Sequence, residues 1–179
     1  MRITVITGSP HKKGTSALLA DKFIEGAEEA GHEIFRFDAA FEDLHPCKAC
    51  EHCHFKGDGC IYKDSMEKLN PHLINDDMIV FVTPLYYFGM TAQIKMVIDR
   101  FYAHNSEIMA NKKDCILLAT SADGNDWTMQ ALVDHYKTVV EKYMGWEDKG
   151  IILATYCTVR SDIENSNYPE EAYELGKSL

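Results

Sequence analysis

Residues 78–83, 115–120 and 151–156 form three short runs that are nearly continuous in apolar side chains. A strand with one face in water alternates apolar and polar residues, so unbroken runs of this length point to strands covered on both faces. Two further β-branched runs, 3–7 and 33–38, precede them. Between the runs lie stretches with helical spacing. Leu18, Leu19, Phe23 and Ile24 make one stripe within 15–30, and Ile94, Val97, Ile98 and Phe101 make another within 91–104. Leu132, Val133, Tyr136, Val139, Val140 and Tyr143 make a third within 128–144. Gly31 and Gly145 are placed to end helices, and 168–175 reads as a last short helix. Asp64 with Glu67 reads as a capping box opening a helix at Ser65, which Pro71 is expected to kink or shorten. Strand alternating with helix five times predicts an α/β fold, a doubly wound five-stranded parallel sheet in three α/β/α layers.

At 179 residues the chain fits one domain, 1–179, whose single long irregular piece is a cysteine-rich loop at 39–63. A net charge of −10 repels a phosphate backbone and argues against a nucleic-acid partner. No run reaches the roughly 18 apolar residues that span a bilayer, and the first residues do not fit a secretory signal. The expected setting is the cytoplasm, where the six cysteines stay reduced or bind metal.

In a parallel sheet, ligands sit beyond the carboxyl ends of the strands. The first such end carries "TGSPHKKGTS", Thr7 to Ser16, with two glycines, hydroxyls and two lysines opening a helix. Unpaired N–H groups at a helix start, with Ser9, Thr15 and Ser16 beside them, suit a phosphate. An ordinary strand–helix turn capped by Thr15 or Ser16 fits the loop equally well. The order Lys13-Gly14-Thr15 excludes the nucleotide-hydrolysing P-loop, and the glycine spacing excludes the dinucleotide fingerprint. A second strand end, "TPLYYFGMTAQIK", supplies a stiff turn and an aromatic wall, and a third, "TSADGNDW", is polar. Together the three loops suit a ligand with a phosphate tail and a flat ring system.

With these residues in view, "GSPHKKGTS", "TPLYYFGMTAQIKMVIDR" and the segment from Cys47 to Cys60 resemble the NAD(P)H-dependent FMN reductase family, which has the flavodoxin-like fold. The resemblance implies strand order 2-1-3-4-5, bound FMN, and a homodimer or homotetramer. It places Ser9, His11, Gly14, Thr15 and Ser16 around the phosphate, where Lys12 or Lys13 supplies charge because His11 stands where such loops commonly carry arginine. It sets Pro84, Leu85, Tyr86, Tyr87, Phe88 and Gly89 along the flavin ring, with Ser121 and Gly124 approaching from the third loop. The activity it implies is hydride transfer from NAD(P)H through FMN to a quinone, flavin or other small acceptor. The flavin carries the redox step, so no acid–base residue is needed. The N–H groups of residues 87–89 or 121–124 are candidates to stabilise charge on the ring. Asp99-Arg100 also matches the family and is expected to form a structural ion pair or subunit contact.

Cys47, Cys50, Cys53 and Cys60 are spaced C-x2-C-x2-C-x6-C, a compact thiolate pattern that points to a metal site. It resembles the motif of iron–sulfur flavoproteins, which implies a 4Fe-4S cluster and ferredoxin as a partner. Neighbouring His45, His52 and His54 leave zinc open, and a metal-free thiol loop is the other alternative. Cys115 and Cys157 read as core residues on strands. Beside the reductase stand two rivals, an iron–sulfur electron carrier and a non-enzymatic binding module on the same fold.

Overall fold

A computed structural model describes residues 1–57 and 59–179; Asp58, within the cysteine-rich loop, lies outside the described residues. Five parallel strands, β1 (Arg2–Thr7), β2 (Glu33–Asp38), β3 (Met78–Pro84), β4 (Asp114–Thr120) and β5 (Glu147–Ala154), form one sheet in the order β2-β1-β3-β4-β5. This is the expected flavodoxin-like order. The strands at 2, 33, 78 and 114 fall where the apolar runs put them. β5 begins and ends earlier than its apolar run, because its polar first half pairs with β4 through an irregularity at Cys115/Ile116.

The two faces of β3 explain why its run is unbroken. Ile79 and Phe81 pack into one core layer, while Met78, Val80 and Val82 pack into the other. The first layer lies under α3 (Met66–Asn75), α4 (Ala92–Arg100) and α6 (Gln130–Lys137), which contribute Leu69, Leu73, Ile94, Val97 and Leu132. The second lies under α1 (Thr15–Glu29) and α8 (Tyr168–Lys177), through Leu19, Phe23, Ala27 and Ala172. α1 and α8 approach very closely: a Cβ on Gly26 would stand 2.0 Å from the Tyr173 carbonyl oxygen, and one on Gly176 would stand 2.2 Å from that of Phe23. The remaining short helices are α2 (His52–Lys56), α5 (Asn105–Ala110) and α7 (Arg160–Glu164).

Several local expectations change in detail. The 91–104 helix is α4 capped by the Thr91 hydroxyl, followed by a 3-10 turn over Phe101–His104. The 128–144 helix becomes π-helical over Thr138–Tyr143. Pro71 sits inside α3 without ending it, and the Asn75 side-chain amide donates to the Pro71 carbonyl at 2.7 Å. The reciprocal capping box does not form: the Asp64 carboxylate accepts the Met66 N–H at 3.1 Å while also pairing with Arg100, and Glu67 faces Lys63 instead. Cys157 lies just beyond β5 rather than on it. Among the described residues no helix is long and apolar enough to cross a membrane.

Candidate active site

At the carboxyl end of the sheet, backbone hydrogen bonds continue the lacing past the strands. Gly8 N–H donates to Val82, Leu85 to Thr120, Ser121 to Ala154, and Cys157 to Ser121, at 2.7–2.9 Å. This holds four strand ends around one cavity of about 660 Å³. Ser9, His11, Lys13, Gly14 and Thr15 line it from the first loop, Pro84, Leu85 and Tyr86 from the second, and Ser121 from the third. Its volume falls in the range of roughly 300–1,000 Å³ usual for small-molecule and cofactor sites.

The loop before α1 leaves its donors unused. Gly14, not Thr15 or Ser16, is the N-cap, and no side chain caps the helix. The Ser9 hydroxyl accepts from the His11 N–H at 3.1 Å, and the Thr15 hydroxyl meets that of Thr120 at 3.0 Å. The N–H groups of Thr15, Ser16 and Ala17 therefore have no acceptor among the described residues. A helix start with free N–H groups and no acidic residue in its first turn is a place for an anion. Ser16 is buried, so it offers its N–H here rather than its side chain.

Arg160 was not anticipated. It lines the cavity and its Nη1 donates to the Gly14 carbonyl at 3.4 Å, while its Nε pairs with Glu164 at 2.7 Å. It brings a cation to the loop that carries His11. Lys12 also lines the cavity, but its ammonium sits over the Phe41 ring at 4.7 Å. Pro10, Thr120, Ala122, Cys157, Thr158 and Val159 complete the wall. The signal for this segment was available in principle, since it follows the carboxyl end of β5.

The aromatic turn divides. Tyr86 and Gly89 exchange both backbone hydrogen bonds at 3.1 Å, which forces Tyr87 and Phe88 to φ of 45° and 64°. Two-residue turns of this hand normally carry Asn or Gly, so two bulky residues hold a strained conformation. Tyr87 is fully exposed, and Phe88 lies against Trp127 with ring centroids 5.2 Å apart. Tyr87, Phe88 and Gly89 do not line the cavity, and neither does Gly124, where a Cβ would stand 2.1 Å from the Tyr156 ring. The Gly89 and Ser121 N–H groups are already paired, and the Asp123 N–H donates to the Ser121 hydroxyl at 3.0 Å. Tyr87, Phe88 and Ala122 keep theirs unpaired among the described residues.

The cysteine loop is a second feature. Cys47, Cys50, Cys53 and Cys60 line one small cavity of about 30 Å³. Ala49 and Glu51 sit at φ of 52° and 59°, turning the chain back between successive cysteines. Burial raises the Cys53 thiol pKa, and neighbouring Cys60 and Cys47 add to the rise. Among the described residues no three His, Cys, Asp or Glu side chains group tightly enough to hold one metal ion. His45 instead stacks on Tyr62 at 4.6 Å and meets Asp64. Four thiols around one cavity are the donor type that zinc and iron–sulfur clusters both use. Cys115 is inert by contrast, its thiol pushed up to about 12 by burial.

Arg100 and Asp64 anchor this loop. Both are buried; Nη1 meets Oδ2 at 2.7 Å, Nη2 meets Oδ1 at 3.2 Å, and Nη1 also reaches the His45 carbonyl at 2.8 Å. Burial alone would raise the Asp64 pKa, but the Arg100 hydrogen bond, the Met66 N–H and the Arg100 charge together hold it below the usual carboxylate range. The expected structural ion pair therefore forms through Arg100, while Asp99 pairs with Lys95 at 2.5 Å.

The family profile described as NADPH-dependent FMN reductase matches residues 1–146. An iron–sulfur flavoprotein of Methanocaldococcus jannaschii is 30% identical over 128 residues, 70% of this chain and 64% of that protein. One from Archaeoglobus fulgidus is 38% identical over 98 residues, 55% of this chain and 49% of that protein. The chain thus spans about half to two thirds of the length of these relatives. Among solved structures, an NAD(P)H:quinone oxidoreductase from Methanothermobacter marburgensis superposes with a TM-score of 0.78 at 16% identity, over 100% of this chain and 96% of that one. An FMN-dependent NADH-azoreductase of Bacillus anthracis in complex with FMN superposes at 0.69 and 14% identity, over 100% and 99%. At such identities the structural likeness is one of fold.

Proposed function

The chain belongs to the NADPH-dependent FMN reductase family, and from that premise we propose that it is a single-domain FMN-dependent oxidoreductase working in the cytoplasm. It takes hydride from NAD(P)H and reduces a quinone, a flavin or another small acceptor. The observation that carries this reading is the cavity of about 660 Å³ joining an uncapped helix start to the Pro84–Tyr86 wall. The residues fit the group: free N–H donors of Thr15, Ser16 and Ala17 and the Arg160 guanidinium suit a phosphate, and Pro84, Leu85 and Tyr86 suit a flat ring. Bound FMN would supply the two-electron redox chemistry.

The chain's own part is to bind, orient and polarise. The hydroxyls of Ser9 and Thr15 and the side chains of His11 and Lys13 hold the phosphate end. The Ala122 N–H, unpaired among the described residues and on the cavity wall, is free to donate where negative charge grows on reduction. Exposed Tyr87, Phe88, Trp127 and Tyr156 form an aromatic surface beside the site, and we take it as the contact of a homodimer or homotetramer.

The test is direct. FMN added to the apoprotein is expected to lose its fluorescence, and anaerobic NADPH or NADH is expected to bleach the visible flavin band. FMN that stays unbound ends the reading, and a bound flavin untouched by either nucleotide ends its nicotinamide half.

A second reading has its own support. Cys47, Cys50, Cys53 and Cys60 line one cavity, and the relatives named iron–sulfur flavoproteins carry the same description of a metal-bearing flavin protein. In this reading the four cysteines hold a 4Fe-4S cluster, which would supply one-electron chemistry, with ferredoxin as donor. Broad brown absorption beneath the flavin bands of anaerobically purified protein supports it, and flavin bands alone refute it.

A further inference from the structure

We propose that Arg100 is a positioning residue for Cys60, holding one buried N–H ready for the sulfur of that cysteine when it is a cluster ligand. The proposal rests on the cluster reading above.

Arg100 closes α4 and is 3% exposed. Nη1 donates to the Asp64 carboxylate and the His45 carbonyl, and Nη2 donates once more to the carboxylate. The Nε N–H is buried and has no acceptor among the described residues. Leaving such a donor unpaired costs about 1–3 kcal/mol, more when the group is charged. As an ion pair alone, then, the arrangement is incomplete.

What lies beside the guanidinium tells which acceptor is missing. Asp64 and Cys60 are the two acidic side chains acting on it. Arg100 and Cys60 share a cavity of about 560 Å³, and Cys60 also faces the small cavity that Cys47, Cys50 and Cys53 line. Cys60 is thus the one of the four thiols that lines a cavity together with the buried cation. A neutral thiol is a weak acceptor, whereas a thiolate accepts a charge-assisted hydrogen bond. A Cys60 sulfur bound to iron would give the buried Nε N–H the acceptor that it lacks among the described residues.

The clamp also fixes where Cys60 can be. Arg100 ties the entrance of the loop at His45 to its exit at Asp64, and Tyr62 packs against the guanidinium with its ring 5.3 Å from Cζ. Asp64 offsets the arginine charge, so the influence proposed for Cys60 is that of the Nε N–H rather than of net charge. Hydrogen bonds to ligand sulfur stabilise the more negative, reduced state and raise the potential.

The experiment compares wild type with Arg100→Lys, which keeps the positive charge but loses Nε and the fork. Both are reconstituted anaerobically with iron and sulfide and read by iron content, midpoint potential, and pulsed electron resonance on protein carrying isotopically labelled arginine. The expected result is iron uptake by both, an arginine-nitrogen coupling to the reduced cluster in wild type only, and a lower potential in the variant. Equal potentials, or no arginine coupling in iron-loaded wild type, overturn the proposal and leave the cluster reading standing. Wild type that takes up no iron overturns both. If Arg100→Lys does not fold, the coupling in wild type decides alone.

Discussion

Arg160 reaches the Gly14 carbonyl across 146 positions of sequence, and no local pattern around it announces a ligand. If it completes the phosphate site, Arg160→Ala removes a charge-assisted hydrogen bond of about 1.5–3 kcal/mol. FMN affinity measured by fluorescence titration should fall by about tenfold or more. Lys12→Ala should cost less, because that ammonium rests over Phe41. Asp64 gives a second residue-scale prediction. Its folded pKa lies below the ordinary 3.8 of the free side chain. A depressed carboxylate contributes stability that is fully present above the unfolded value and is lost as pH falls through the folded one. Urea unfolding should therefore show the advantage of wild type over Asp64→Asn intact at neutral pH and shrinking below about pH 4. At neutral pH the variant should lose about 3–5 kcal/mol, since it leaves a buried guanidinium uncompensated.

Among the elements, α1 carries the most: it packs one core layer, opens the candidate phosphate site and crosses α8 at backbone distance. Gly176→Ala raises helix propensity by about 1 kcal/mol, yet its Cβ would stand 2.2 Å from the Phe23 carbonyl oxygen. Overpacking of this kind costs about 1–3 kcal/mol. Thermal unfolding should show net destabilisation; a higher midpoint would mean that the two helices separate at little cost. The Tyr86–Gly89 turn shows the opposite economy. Its strained central residues are exposed aromatics, so their backbone conformation is held by paired hydrogen bonds rather than by burial.

At the scale of the whole molecule, the net charge of −10 and the aromatic surface at the sheet edge act in different directions. Charge keeps copies apart, while exposed aromatic area draws them together. Sedimentation velocity should find an oligomer, and Phe88→Ser combined with Trp127→Ser should shift it toward monomer. A wild-type monomer at all concentrations would remove the proposed contact.

What the linear order determined is what depends on local periodicity. Unbroken apolar runs required strands covered on both faces, and 78–83 and 115–120 became β3 and β4 between two core layers. Helical stripes between them fixed the alternation, and turn chemistry marked three loops at the carboxyl edge, which line one cavity; the residues within them were singled out by the family resemblance, and Ser16, Tyr87, Phe88, Gly89 and Gly124 of that set are not on its wall. Tertiary structure decided which groups compete for one partner. The Asp64 carboxylate takes the Met66 N–H at the start of α3 and the Arg100 guanidinium from α4 at once, and nothing local to residue 64 shows the second partner. Whether Tyr87 and Phe88 faced the cavity depended on a turn of left-handed residues, and Arg160 entered only because the chain beyond β5 folds back to Gly14. Burial has a period that a short window of sequence reveals. Pairing between distant polar groups has none, and is fixed only when the crossovers bring them together.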